Sequence, residues 1–173
     1  MTDTRGNGSG MSGEGQEAGQ GGGQVPGMAI NIQYVKDLSF EVPGAPDIYM
    51  QIRQPPQVQV NLDVNARRLS ADSAYEVVLS IRAEAKAEER TAFIVELDYA
   101  AVFTLTAIPQ DMLEPVLLVE APRLIFPFAR AIIADVTRES GFPAVLLQPI
   151  DFLALWQTRR AQAQQGMPPA ANA

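Results

Sequence analysis

Two carboxylates, Glu96 and Asp98, stand two residues apart in a run whose alternate positions are Phe93, Val95, Leu97 and Tyr99. Residues two apart on an extended strand project from the same side at about 7 Å, and a pair of carboxyls is what general acid and base chemistry employs. A second set, Asp37, Ser39 and Glu41, alternates with Leu38 and Phe40 in the same way. Acid/base work also needs a pocket that shifts the carboxyl pKa values. Without one, the pattern is a solvated acidic sheet face, and that is the reading the sequence favours. Ile94 sits among these carboxylates, and because an apolar residue on a wet face costs solubility it adds slightly to the case for a binding patch there.

The composition removes most other chemistry. With no cysteine and no histidine, the chain is without thiol nucleophiles, disulfides, thiolate or imidazole metal sites, and imidazole-based triads. Ten of the 13 glycines fall within residues 1–27, away from any strand-to-helix turn where they would cradle a phosphate. No cofactor and no metal is expected. Twenty acidic residues against 13 basic ones give a net charge of −7, which argues against nucleic acid and suits a cationic partner. No basic N-terminal region precedes an apolar run, and no stretch approaches the ~18 apolar residues of a membrane span. The expected location is cytoplasmic, without direct membrane insertion.

Period-2 alternation predicts the strands that carry these residues. In the first, Ile30, Ile32, Tyr34, Leu38, Phe40 and Val42 form the apolar side, with Val35 and Lys36 out of pattern. Pro43, Pro46, Pro55 and Pro56 make the following segment a long irregular connection. The second strand places Val58, Val60, Leu62 and Val64 on one side; the third runs from Tyr75 to Lys86, with Val78 out of pattern. Residues 87–90 turn the chain into a fourth strand from Thr91 to Tyr99, continuing toward Ile108.

After Pro109 the period changes. Asp111 is expected to cap a short helix from Met112 to Glu120, with Pro115 near its first turn. A longer helix carries Ile125, Phe128, Ala129, Ile132, Ile133 and Val136, with Pro127 near its start and Gly141 at its stop. Asp151 can cap a last helix reaching about Gln165. Strands grouped first and helices last give an α+β fold, a four-stranded antiparallel sheet with helices packed on one face. Residues 1–27 read as a disordered Gly-rich leader, 28–165 as the folded domain and 166–173 as a flexible tail.

The motifs add to this reading. Lys36-Asp37-Leu38-Ser39-Phe40-Glu41 followed by Pro43-Gly44-Ala45-Pro46 resembles the signature of the SecB family of protein-export chaperones. Further matching segments follow in order: Tyr75 to Leu79, Thr91-Ala92-Phe93 with Glu96, Leu124 to Arg130, Phe142-Pro143, and Pro149 to Phe152. The resemblance implies an ATP-independent chaperone, not an enzyme, that keeps secretory precursors unfolded and translocation-competent and delivers them to SecA. It further implies a homotetramer built as a dimer of dimers. By the same resemblance Asp37, Glu41, Ile94 and Glu96 are the expected SecA-docking positions, with salt-sensitive binding. Tyr49, Val58, Val60, Leu62, Ile125 and Phe126 are the expected client contacts, although each also suits ordinary core packing.

Two departures bear on these expectations. Arg53 precedes Gln54-Pro55 where relatives often carry a tryptophan, and the tail is uncharged where many relatives are acidic. Three rival readings stay open. One is a SecB-like chaperone of a toxin-antitoxin system, and a second is an acid-dependent hydrolase with Glu96 and Asp98 in a closed pocket. A purely structural oligomer, with no affinity for unfolded protein, is a third.

Overall fold

The structure of the chain, a computed structural model, describes residues 25–70 and 73–165. Nearly all of the expected leader and the whole of the expected tail lie outside the described residues. Strands β1 (Gly27–Glu41), β2 (Gln57–Arg68), β3 (Ala74–Ala87) and β4 (Arg90–Thr106) form one antiparallel sheet in the order β1-β4-β3-β2. Helices α1 (Asp47–Gln51), α2 (Gln110–Pro115), α3 (Ala121–Glu139) and α4 (Phe152–Gln165) complete the chain. The α+β class and the four-stranded antiparallel sheet are those expected from the alternation.

The central strands explain the stability of this arrangement. On the side toward the helices, Val77, Leu79, Ile81 and Ala83 of β3 stand opposite Ala101, Tyr99, Leu97 and Val95 of β4. Ile125, Ala129 and Ile133 of α3, four residues apart on one helix face, join them in a single core and are fully buried. Each buried Val, Leu or Ile among them stabilises the fold by about 1.5–3 kcal/mol relative to exposure, and the alanines by less. Phe126 of α3 meets Phe152 of α4 edge to face at 5.9 Å, which anchors the last helix.

The first strand departs from the even alternation expected of it. Val35 pairs with Tyr99 and Asp37 with Asp98, so Lys36 is an extra residue; Asn31 is another, between Ile30 and Ile32. Each is a β-bulge, and each shifts the face that following residues present. Leu38 and Phe40 therefore face the helices, Tyr34 and Ile32 face away, and Ile30 faces the helices again. The two residues that break the sequence pattern, Val35 and Lys36, mark the first of these bulges.

Four expectations for the segments beyond the first strand are corrected. The segment after the first strand is not wholly irregular, because Ile48 is buried and anchors α1. Asp111 does not cap α2; the helix begins after Pro109 with no side-chain cap, and Asp111 lies inside its first turn. The two expected helices are one continuous helical run from Gln110 to Glu139, joined by a π-helical turn at Val116–Glu120. In that turn the Ala121 N–H bonds the Val116 carbonyl, and the wider register falls where Pro122 has no N–H to continue the α pattern. Pro127 lies inside α3 and not at its start. It and Arg123, whose carbonyl it cannot satisfy, are both exposed, so water can take the lost bond.

Both expected helix signals at the C-terminal end are present. Gly141 has φ +84°, its N–H bonds the Arg138 carbonyl at 3.1 Å, and the Phe142 N–H bonds the Thr137 carbonyl at 3.2 Å. This is a Schellman stop, which glycine adopts without strain. Asp151 caps α4 by accepting a hydrogen bond from the Ala154 N–H at 3.0 Å. No helix of the described residues is long and apolar enough to cross a membrane.

Candidate functional site

The sheet face turned away from the helices carries the four residues expected to dock SecA. Glu41 of β1 stands directly opposite Ile94 of β4, Ser39 opposite Glu96, and Asp37 opposite Asp98. Across β4 the same rows continue into β3, with Glu84 beside Ile94, Arg82 beside Glu96 and Ser80 beside Asp98. Asp37, Glu41, Ile94 and Glu96 are thus near neighbours on one open surface. Asp37, Glu41 and Glu96 are exposed and Ile94 is half-buried. The like-charged pair Asp37 and Asp98 costs stability in the free chain and favours a cation that bridges it.

The sequence did not single out Arg82. Its guanidinium pairs with Glu96 and lies 3.5 Å from Glu84, so one expected docking carboxylate already has a cationic partner. Glu96 and Asp98 line separate shallow depressions on the open face; among the described residues they share no closed pocket, the arrangement that the hydrolase reading required.

Next to this acidic area lies a polar cluster that alternation alone could not reveal. Glu76 of β3 is 2% exposed although it faces away from the helices. It accepts hydrogen bonds from the Tyr34 hydroxyl, from Lys36 Nζ at 3.1 and 3.2 Å, and from Arg67 Nε at 2.5 Å. The hydrogen bond from Arg67, followed by those from Tyr34 and Lys36, outweighs burial and holds the Glu76 carboxyl down at about 2. The same contact pushes the Tyr34 phenol up. Ala100, opposite Tyr34 on β4, carries only a methyl group, too small to block this reach across the sheet, and is itself fully buried.

On the helix side of β2, an apolar groove of about 530 Å³ runs between Val58, Val60 and Leu62 and the extended segment from Pro143 to Gln148. Pro55, Pro56, Phe93 and Ile150 complete its lining. β2 is an edge strand, and its open edge is stopped part-way along. Arg159 of α4 donates to the carbonyls of Leu62 at 3.1 Å and Val64 at 3.4 Å and pairs with Asp63. The Asp63 carboxylate accepts from the Val64 N–H at 2.9 Å. Strand addition along β2 is therefore blocked beyond Leu62.

Of the six expected client contacts, the structure brings Val58, Val60 and Leu62 together in this groove. Tyr49 flanks it: the ring packs on Phe142 at 5.0 Å, Phe142 packs on Phe93 at 4.8 Å, and the Tyr49 hydroxyl donates to the Ser140 carbonyl at 2.9 Å. Ile125 and Phe126 lie in the core between helix and sheet and do not line the groove. Their apolar type suited either place, and the phase of α3 turns them inward. The Pro143–Gln148 wall was not expected, because it has neither strand nor helix period.

Comparison with known proteins agrees with the motifs. The family model described as preprotein translocase subunit SecB matches residues 22–163. The chain is 63% identical to the protein-export protein SecB of Granulibacter bethesdensis, over 81% of this chain and 86% of that one. It is 56% identical to the SecB of Acidiphilium cryptum, over 80% and 92% of the two chains. Among solved structures, a Mycobacterium tuberculosis SecB-like chaperone in complex with an antitoxin peptide superimposes with a TM-score of 0.60, covering 71% of this chain and 90% of its own at 16% identity. At that identity the likeness concerns the fold. Motif order, sheet topology and relatives above half identity over most of both chains converge on one conclusion: the chain belongs to the SecB family.

Proposed function

We propose that this chain is an ATP-independent export chaperone that binds unfolded precursors in the groove beside β2 and hands them to SecA through the acidic open face. The observation that carries the reading is the placement of these two surfaces on opposite sides of one sheet: Val58, Val60 and Leu62 face the helices, while Asp37, Glu41, Ile94 and Glu96 face away. Precursor and SecA can then be held together without competing for the same residues. The activity is binding, not catalysis. The export reading is preferred to the toxin-antitoxin one because relatives above half identity are named protein-export proteins.

Self-association into a dimer of dimers is part of this proposal. β1 is an edge strand on which Ile30, Ile32, Val35 and Leu38 are exposed, and α3 exposes Leu124 and Phe128. These surfaces favour burial against further copies, and light scattering of the purified protein is expected to return a tetramer.

The deciding experiment measures binding to an unfolded, signal-bearing precursor and to SecA for the wild type and for the triple reversal Asp37→Lys, Glu41→Lys, Glu96→Lys. The variant is expected to keep the precursor and lose SecA, and wild-type SecA binding is expected to weaken as salt rises. SecA binding retained by the reversed variant overturns the docking assignment. A wild type that binds neither partner overturns the chaperone reading.

A further inference from the structure

We propose that Glu76, through Lys36, is a positioning residue for the docking face: it holds the bulge that turns Asp37 to the same side as Glu41 and Glu96. This deepens the SecA-docking reading and rests on it. Lys36 has no partner of its own on β4, because Val35 and Asp37 pair with the consecutive residues Tyr99 and Asp98. At a bulge, two neighbouring side chains can lean to one side of the sheet, and Lys36 does so, with Nζ 3.1 and 3.2 Å from the two Glu76 oxygens. Without that extra residue, period 2 from Tyr34 onward would turn Asp37 toward the helices and expose Leu38. The bulge is therefore the element that aligns an apolar strand face with the core on one side and its carboxylates with the partner on the other.

Glu76 is suited to hold it. The carboxylate is buried on an otherwise open face, and its Arg67 contact at 2.5 Å ties it to β2, directly opposite in the ladder. Lys36 thus reaches across β4 to a carboxylate whose backbone is set in the interior strand β3. The anchor also draws the Lys36 ammonium to Glu76 and away from Asp37, which has no ion pair among the described residues and keeps its charge for a cationic partner.

Charge and position predict opposite signs for one variant. Lys36→Met removes a positive charge beside the acidic face, so charge alone would strengthen the binding of a cationic partner. Loss of positioning instead weakens SecA binding, by roughly fivefold, leaves precursor binding unchanged, and speeds amide exchange from Asp37 to Glu41. Arg67→Met removes the same charge from the same cluster on β2 but leaves Lys36 on Glu76, and is expected to keep SecA binding at or above the wild-type level. Glu76 retains two partners in either variant, so both should fold. SecA binding that rises with Lys36→Met, or falls equally in the two variants, overturns the proposal. If wild type binds no SecA, the docking reading fails first; the exchange measurement still decides positioning, and unchanged exchange in Lys36→Met overturns it.

Discussion

Arg82 of β3 pairs with Glu96 of β4 in the middle of the acidic face. The guanidinium occupies a carboxylate of the proposed docking face, so a cationic partner binding there would have to displace or share it. Arg82→Ala is expected to raise affinity for SecA by roughly three- to tenfold and to steepen its salt dependence. Titration at two ionic strengths checks this, and unchanged or weaker binding would show that Arg82 does not compete.

Acid sensitivity follows from Glu76. Its carboxyl is lowered from 4.5 to about 2 by the hydrogen bonds from Arg67, Tyr34 and Lys36, so below pH 4.5 the unfolded state binds more protons than the folded one. The contribution, on the order of 3 kcal/mol, is complete above about pH 4.5 and is lost as pH falls toward 2. Urea unfolding between pH 5 and 2 should show this loss in the wild type and a smaller one in Glu76→Gln. Equal slopes in the two proteins would remove Glu76 as the cause.

The wall of the groove depends on one hydroxyl. Thr137 is fully buried, donates to the Ile133 carbonyl at 2.8 Å and accepts from the Val145 N–H at 3.0 Å. Thr137→Val keeps the shape and leaves the Val145 N–H without its acceptor, at a cost of about 1–3 kcal/mol. Faster amide exchange in residues 143–148 and weaker precursor binding are expected. A stability loss without either change would make Thr137 a core residue only.

Val60 offers a direct test of the groove because it is 41% exposed and tolerates a polar replacement. Val60→Glu places a charge among apolar walls and is expected to weaken precursor binding at least about tenfold while SecA binding persists. Ile125→Ala, by contrast, should act through stability, at about 2–5 kcal/mol, because Ile125 is wholly buried.

Much of the molecule was legible in the chain itself. β2, β3 and β4 follow from alternation because each turns an apolar face toward the helices and a polar face away, which imposes a period of two. Gly141 and Asp151 were recognisable because a left-handed stop and a side-chain cap are local requirements met by particular residue types. The order of the motifs indicated the family, and the carboxylates of β1 and β4 indicated an acidic face. What the tertiary structure alone decided are relations between distant segments. The bulges at Asn31 and Lys36 arise from pairing with β4, which fixes which residues share a face. The π-helical turn fuses two helical patterns into one. The inward phase of α3 assigns Ile125 and Phe126 to the core. The Arg82 pair and the Glu76 cluster join strands that meet only in the sheet. Local sequence fixes what each residue prefers; the register between strands determines which neighbours it has, and that register is set by the packing of the whole sheet.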